Sequence, residues 1–345
     1  MLTVYEVWQN EEWDNIVRSF ADFDVYYLSG YVKAFQLHGD GTPLLFYYRD
    51  ETVRGINVVM KRDVATDKHF SDRLEENVIF DFSTPYGYGG WLIEGERTEK
   101  LFLAYEEWCR KNNIVSEFVR FHPLVSNHNV ALGAYNVVGL GNTVALDLSS
   151  PEKIWCNITS KNRNMIRKAE KNGVEIRYGR DSNLIEIFRE IYNATMDKDN
   201  ASKYYYFAPE FYESVLNDLE KEAQIFYAVY EEKIIAASIV LIANGRLNYH
   251  LSGSRREYQH LAPTNLLLYK AALWGFEHGC KTFYLGGGVG SGEDSLFKFK
   301  KAFYRGDDLP QFHIGKKILN EEKYNELVSL RSETIESEFF PKYRA

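Results

Sequence analysis

Residues suited to chemistry gather in four short stretches. The first is KNRNMIRKAEK, Lys161 to Lys171. Wound as a helix at about 100° per residue, it puts Met165, Ile166 and Ala169 on one face and Lys161, Arg163, Arg167, Lys168 and Lys171 on the opposite half. Five cations with one acid, Glu170, make a positive ridge in a chain of net charge −8. Such a ridge suits phosphate, and Arg163 and Arg167 are expected to face a cleft or open surface that takes it. The competing reading is a solvated helix face. The second stretch is YLGGGVGSGEDSLFKFKKAF, Tyr284 to Phe303. Its glycines allow backbone to approach a ligand, and Lys298, Lys300 and Lys301 place ammonium groups near them. It is neither a P-loop, because Gly292 precedes Glu293-Asp294, nor a dinucleotide fingerprint, because Ser291 stands where the third glycine belongs. The third, FDFSTPYGYGG, is a turn-rich segment in which Tyr86 and Tyr88 offer ring faces and hydroxyls; a structural loop fits it as well. The fourth is Arg120-Phe121-His122-Pro123, where Arg120 and His122 are candidate binding groups. His122 fits equally as a satisfied structural histidine.

The elements that must position these stretches repeat loosely. Leu44 to Tyr48, a turn at Asp50-Glu51, and Val53 to Met60 predict an antiparallel hairpin. Ile225 to Tyr230, Glu231-Glu232 and Ile234 to Ile242 predict another. Each is followed by a helix and then a strand: Leu101 to Lys111 with Ser116 to Phe121, and Leu266 to His278 with Lys281 to Leu285. Gly279 ends the second helix as a C-cap would. Between the halves, Ser149-Ser150-Pro151-Glu152 is a helix start, and a further helix is expected from about Ser160 to Lys171. A last helix begins near Asn320, with Glu321 and Glu322 in its first turn. The order suggests duplication of one α/β unit, with residues 1–150 and 310–345 forming one half and 151–309 the other.

Bulk properties narrow the function. The chain has 345 residues, 45% of them apolar and 26% charged, which is ordinary for a globular protein. A pI near 5.6 argues against a duplex-DNA-binding protein. Three widely spaced cysteines, Cys109, Cys156 and Cys280, show no metal spacing and suit a reducing cytoplasm. Met1 to Asn10 has neither the cationic start nor the apolar stretch of a signal peptide. Ile234 to Ala243 is too short to span a bilayer, so membrane contact is expected to be at most peripheral. No G-x-S-x-G elbow, no HExxH and no signature of PLP, flavin or haem is present. No cofactor is expected beyond the donor substrate.

Five stretches, ITSKNRNMIRKAEKNGVEI, YHLSGS, LAPTNLL, YLGGG and SLFKFKKAF, stand in the order seen in the Fem family. VSEFVRFHPL and FDFSTPYGYGG resemble a Fem-related subgroup. The resemblance runs from about Asp24 to Pro310. It implies an α/β (α+β) fold of two tandem GNAT-like acyltransferase domains, each a mixed, mostly antiparallel sheet flanked by helices. It also implies transfer of an aminoacyl group from aminoacyl-tRNA to an amine of a nucleotide-linked or lipid-linked peptidoglycan precursor. The family's Phe-Lys falls on Phe299-Lys300, and a substrate-contacting lysine falls on Lys33. Departures are Leu261 where some members have tyrosine, with Tyr258 close by, and Ala208-Pro209 after Tyr204-Tyr205-Tyr206 in place of Arg-Pro. The coiled-coil arm of some members has no heptad counterpart here. QHLAPT lacks both glycines of the acyl-CoA loop, so a pyrophosphate cradle is not expected. The chemistry implied is attack of a neutral amine on an activated ester or thioester. Lys300 and backbone N–H groups near Tyr249 to Ser252 are the expected oxyanion donors, with Tyr206 and Tyr258 as substrate contacts. Alternatives are an acyl-CoA- or acyl-carrier-dependent N-acyltransferase and a non-catalytic precursor-binding protein.

Overall fold

The computed structural model describes residues 1–331 and 338–345. In chain order the elements are β1 (Leu2–Glu6), α1 (Asn10–Arg18), α2 (Ser29–His38), β2 (Thr42–Arg49), β3 (Val53–Asp63), β4 (Phe80–Ser83), β5 (Leu92–Gly95), α3 (Glu99–Lys111), β6 (Ile114–Arg120), β7 (Asn136–Asn142), β8 (Val144–Asp147), α4 (Pro151–Asn157), α5 (Ser160–Lys171) and β9 (Glu175–Gly179). They continue with α6 (Ser182–Lys198), α7 (Pro209–Asp218), β10 (Ala223–Tyr230), β11 (Lys233–Ala243), β12 (Arg246–Ser254), α8 (Pro263–Glu277), β13 (Thr282–Gly286), α9 (Ser295–Lys301), β14 (Gln311–Ile318) and α10 (Glu321–Ser329). Two compact units result, Met1–Leu140 with Phe312–Ala345, and Gly141–Gln311. The boundary falls at Leu140–Gly141 rather than at 150. The reason is that β8 pairs antiparallel with β13 and so belongs to the second unit's sheet.

The first unit holds a mixed sheet in the order β1-β2-β3-β4-β6-β14-β7, with β5 also on β3. Its hairpin β2–β3 turns at Asp50, whose Oδ1 accepts from the backbone N–H of Thr52 and Val53. Such side-chain closure is why Asp suits a turn. The apolar face of this sheet, with Phe46, Phe82 and Val119, packs on Leu101, Tyr105 and Cys109 of α3. The second unit's sheet runs β8-β13-β12-β11-β10-β9. Its hairpin β10–β11 turns through Glu231 and Glu232, both at positive φ (47° and 59°), the backbone of a two-residue hairpin loop. Helix α8 lies on the buried face of β10–β13, and α5 packs beside it, giving a core of Ile166, Ala169, Val240, Leu247, Leu267 and Phe283.

Both helices begin and end where their sequences require. Thr159 caps α5 by accepting from the Asn162 N–H, and Ser150 caps α4 by accepting from Lys153 with Pro151 in the first turn. Gly279, at φ 77°, follows the end of α8. In both units the repeated order is therefore hairpin, strand, helix, parallel strand. The fold is a mixed α/β pair of units, each with one mixed sheet flanked by helices.

Of the first unit's three fully buried acids among the described residues, one sits on the strand that leads to Arg120 and His122. Glu117 of β6 is fully buried; its Oε1 accepts from Asn57 Nδ2 at 2.9 Å and its Oε2 from the Tyr135 hydroxyl at 2.7 Å. Burial nevertheless raises its carboxyl above the ordinary 4.5, because desolvation outweighs the donors. Between 4.5 and the raised value the native state keeps a proton that the unfolded chain releases, so stability falls as pH rises through that window. Glu117→Gln removes this slope. The thermal midpoint of the variant relative to wild type should therefore shift by a few degrees in the variant's favour between about pH 5 and about pH 8. A gap that stays constant over this range in calorimetric scans would count against the buried-acid account.

Candidate functional site

The first unit builds an aromatic cluster around the Pro85–Gly90 segment. Gly87 sits at φ 94°, and a Cβ there would come within 2.6 Å of the Tyr26 ring, so only glycine fits. The Tyr26 ring contacts Tyr31 at 5.2 Å, Tyr88 at 5.3 Å and His122 at 5.7 Å between centroids. Tyr86 stacks on Phe35 of α2 at 5.7 Å, and the Tyr31 hydroxyl donates to the Tyr86 carbonyl. Arg120 is half-buried, and its guanidinium donates to the carbonyls of Thr84 and Pro85, so it holds this loop. His122 is fully buried. Its Nδ1 accepts from the Leu124 N–H, which leaves Nε2 to donate to Asp24 Oδ2 at 3.0 Å. Its own N–H donates to Asn127 Oδ1, and Asn127 also donates to the carbonyls of Gly89 and Trp91. Thus His122 organises the loop from behind, while the half-buried Tyr86 and Tyr88 present the accessible surface. Lys33 is exposed on α2.

The two units differ at the pair of parallel strands each contains. In the first, β4 pairs with β6, and the contact continues beyond the strands: Thr84 N–H donates to the Phe118 carbonyl and Gly89 N–H to that of Arg120. In the second, β12 pairs with β13 only over Arg246–Asn248 against Thr282–Tyr284. Past that point β12 runs on to Ser254 while β13 ends at Gly286 in the glycine segment, and among the described residues no strand lies against that edge of residues 249–254. A β-bulge places the extra residue His250 between Tyr249 and Leu251 opposite Val240 and Ile239. Bulges re-aim side chains and backbone groups at functional edges. Burial lowers the His250 imidazole to about 3, so it is neutral at physiological pH.

Lys300 lies at this open edge. Of the three lysines the sequence places near the glycines, Lys300 is the buried one, only 8% exposed. Its ammonium donates to the Gly287 carbonyl at 2.7 Å and lies 5.8 Å from the centre of the Tyr249 ring. Burial lowers its pKa to about 8, with Asp294 acting in the opposite direction. Asp294 caps α9 by accepting from Phe297 N–H, and its other oxygen accepts from Val289 N–H, so one carboxylate fixes both the glycine loop and the helix. Tyr249 is half-buried, and Ser238 and Ser252 are in hydrogen-bonding reach of it. Ser238 also donates to Ser252 at 2.7 Å, across paired strands. Phe299 packs on buried Phe303 at 5.7 Å and anchors the helix. The neighbouring lysines diverge. Lys301 donates to the carbonyls of Tyr304 and Gly306, and Lys298 is exposed, so Lys300 alone of the three reaches the loop.

Other expected residues have partners of their own. Tyr206 donates to Asp197 Oδ1 at 2.7 Å and Tyr258 packs on Tyr230 at 6.1 Å. Arg163 does not face an open surface for phosphate: its guanidinium donates to the carbonyls of Trp155 and Ile158 at the end of α4. Those carbonyls carry the negative end of the helix dipole, which explains the capture. Arg167 is exposed. Asp24, Tyr26, Asn127 and Ser238 escaped sequence reading because each acts through partners well along the chain. Only Asp294, three residues before the N–H it caps, left a local signal.

Residues 159–301 match the model of a family described as an acetyltransferase (GNAT) domain. No curated protein sequence matches the chain significantly. Among solved structures, FemX is similar with a TM-score of 0.69 at 13% identity, covering 94% of this chain and 99% of that one. A conserved protein of unknown function from Bacteroides thetaiotaomicron gives 0.61 at 12% identity over 92% and 99%. The C-terminal domain of a putative lysylphosphatidylglycerol synthetase from Agrobacterium fabrum gives 0.52 at 12% identity over 92% of each chain. The fold is thus a Fem-like tandem GNAT fold, and the match to the acetyltransferase (GNAT) domain model falls within the second unit.

The burial of Lys300 changes what its removal does to stability. Below about pH 8 the amine is charged in both folded and unfolded chains, so the cost of burying it is fully present. From about 8 toward the ordinary 10.5 the folded amine is neutral while the unfolded one still holds its proton, so stability rises with pH. Lys300→Met should therefore unfold at an equal or higher temperature than wild type at about pH 7, and this advantage should shrink by about pH 10. A variant clearly less stable at neutral pH would show that the bond to Gly287 outweighs the desolvation.

Proposed function

We propose that this protein is an aminoacyltransferase of the Fem type, moving an aminoacyl group from aminoacyl-tRNA to an amine of a peptidoglycan precursor, nucleotide-linked or lipid-linked. The observation that favours it most is Lys300, the position of the family's Phe-Lys, held as a desolvated ammonium beside the open edge of β12. A neutral acceptor amine attacks the ester carbonyl; a C–N bond forms and the ester C–O bond breaks. The charge gathers on the carbonyl oxygen, and the leaving hydroxyl takes up a proton. Pre-aimed donors at the place where charge develops lower such a barrier most. Lys300 and backbone N–H groups of the bulged edge supply them in this reading. The amine's proton leaves to solvent or to a substrate phosphate, since no acid or base of the second unit stands beside Lys300 except Asp294, whose oxygens are engaged with backbone.

A second reading, transfer from acyl-CoA, draws on the GNAT model match over 159–301. Against it stands the start of α8. A pyrophosphate needs the free N–H groups of a helix's first turn, and here Pro263 removes one of them while no glycine lies in Gln259–Thr264. Among the described residues, no helix is long and apolar enough to cross a membrane.

The test is a donor screen in which charged tRNAs and acyl-CoAs are offered with uridine-diphosphate-linked peptides and amino sugars, with products read by mass spectrometry. Product is expected with aminoacyl-tRNA, together with weak or no acetyl-CoA binding in calorimetry. Tight, saturable acetyl-CoA binding would replace this reading with the second. With a working donor and acceptor, Lys300→Met should lower turnover by roughly ten- to a thousand-fold. The wild-type rate should fall above about pH 8 as Lys300 loses its proton, and Lys300→Arg should move that limb upward. Full activity in Lys300→Met would remove Lys300 from the chemistry.

A further inference from the structure

We infer that the outer surface of α4 and α5 is a docking site for a single-stranded RNA end, with Trp155 as a stacking platform and Arg167, Lys168 and Lys171 as phosphate contacts. The inference rests on the aminoacyl-tRNA reading above and names the surface that would take its nucleic-acid part.

Residues 151–173 hold six cations (Lys153, Lys161, Arg163, Arg167, Lys168, Lys171) against two acids (Glu152, Glu170), a local +4 in a chain of −8. Two of the cations are spent: Arg163 on the α4 carbonyls and Lys153 on Asp147 at 2.5 Å. Glu170 is in turn neutralised by Lys270 at 2.9 Å. Lys161, Arg167, Lys168 and Lys171 are exposed, and among the described residues no carboxylate pairs with any of them. Uncompensated cations on a folded surface are a standing attraction for phosphate.

Beside this row lies the Trp155 ring, half-buried, with the Arg167 guanidinium 5.1 Å and the Arg163 guanidinium 5.9 Å from its centre. Tyr269 packs at 5.1 Å and braces the ring. A guanidinium resting on an indole holds a face that a base can take over, while the displaced Arg167 turns to a phosphate. Alternation of ring and cation is how sequence-tolerant single-strand surfaces are made.

The geometry separates this from other anions. From Lys161 to Lys171 the cations run about 15 Å along the helix, a length for successive phosphates of a strand rather than for the adjacent pair of a nucleoside diphosphate. A membrane surface fits less well, because no large apolar side chain in 151–173 is among the exposed ones. Interfacial helices need such an apolar face.

The experiment uses the full chain, an uncharged RNA hairpin with a single-stranded ACCA end, and fluorescence anisotropy over a salt series. Vesicles containing phosphatidylglycerol and free uridine diphosphate serve as comparison probes. Wild type should bind the hairpin, with affinity falling steeply as salt rises. The triple variant Arg167→Gln, Lys168→Gln, Lys171→Gln touches only exposed side chains. It should bind about 10- to 100-fold more weakly, with a salt slope reduced by about two. Trp155→Leu should weaken binding about 5- to 50-fold and leave the slope unchanged, the mark of lost stacking. Circular dichroism confirms that each variant is folded, and Trp155→Phe, which keeps a ring, should restore most of the affinity if Trp155→Leu is poorly folded. Hairpin binding that all variants retain would overturn this surface while leaving the aminoacyl-tRNA reading standing. No hairpin binding by wild type, with acetyl-CoA binding instead, would overturn both. Loss of vesicle or uridine diphosphate binding in the triple variant, with hairpin binding intact, would reassign the patch and overturn the inference.

Discussion

The second unit depends on where a parallel strand pair is allowed to stop. Strands β12 and β13 share three register positions and then separate. A strand edge left without a partner inside a sheet is costly, because each backbone N–H and C=O on it needs a hydrogen bond. The chain tolerates the opening by replacing β13 with a glycine loop whose carbonyl at Gly287 is taken by Lys300. Around the same place Asp294 ties the loop to α9, and Ser238, Ser252 and Tyr249 satisfy one another across β11 and β12. The polar groups gathered around Lys300 are the ones that make the open edge bearable.

The first unit answers the same topological problem differently. Its parallel pair is prolonged through Thr84 and Gly89, and the loop that does so is wedged by Tyr26 and held by Arg120, Asn127 and the Asp24–His122 pair. Two units with one element order have thus diverged, one toward an open strand edge and the other toward a rigid aromatic wall.

The elements were legible where the signal is local. The two hairpins, the starts of α4 and α5, the glycine after α8 and the helix after the glycine segment all follow from turn chemistry and periodicity. These act within a few residues and so leave a pattern in the sequence. The site was less legible because burial is not local. Lys300 stands in a run of three lysines, and only the packed structure distinguishes the one turned inward. Arg163 matched the phosphate pattern as well as Arg167 did, but the end of α4 lies where its guanidinium reaches, and helix carbonyls captured it. His122 was evenly balanced between roles until Asp24, almost a hundred positions away, was seen to hold its Nε2. The bulge at His250 has no sequence signature, since any residue can be the extra one.

Burial also sorts the three thiols. Cys109 and Cys280 lie in the two cores, and desolvation pushes the first well up and the second to about 11. Such thiols hold their protons and stay unreactive at neutral pH. Cys156 alone is exposed, on α4 next to Trp155. The natural chain is therefore already a single-label protein. A maleimide dye or spin probe would attach at one defined point, one residue from the indole ring, without a cysteine being added or removed.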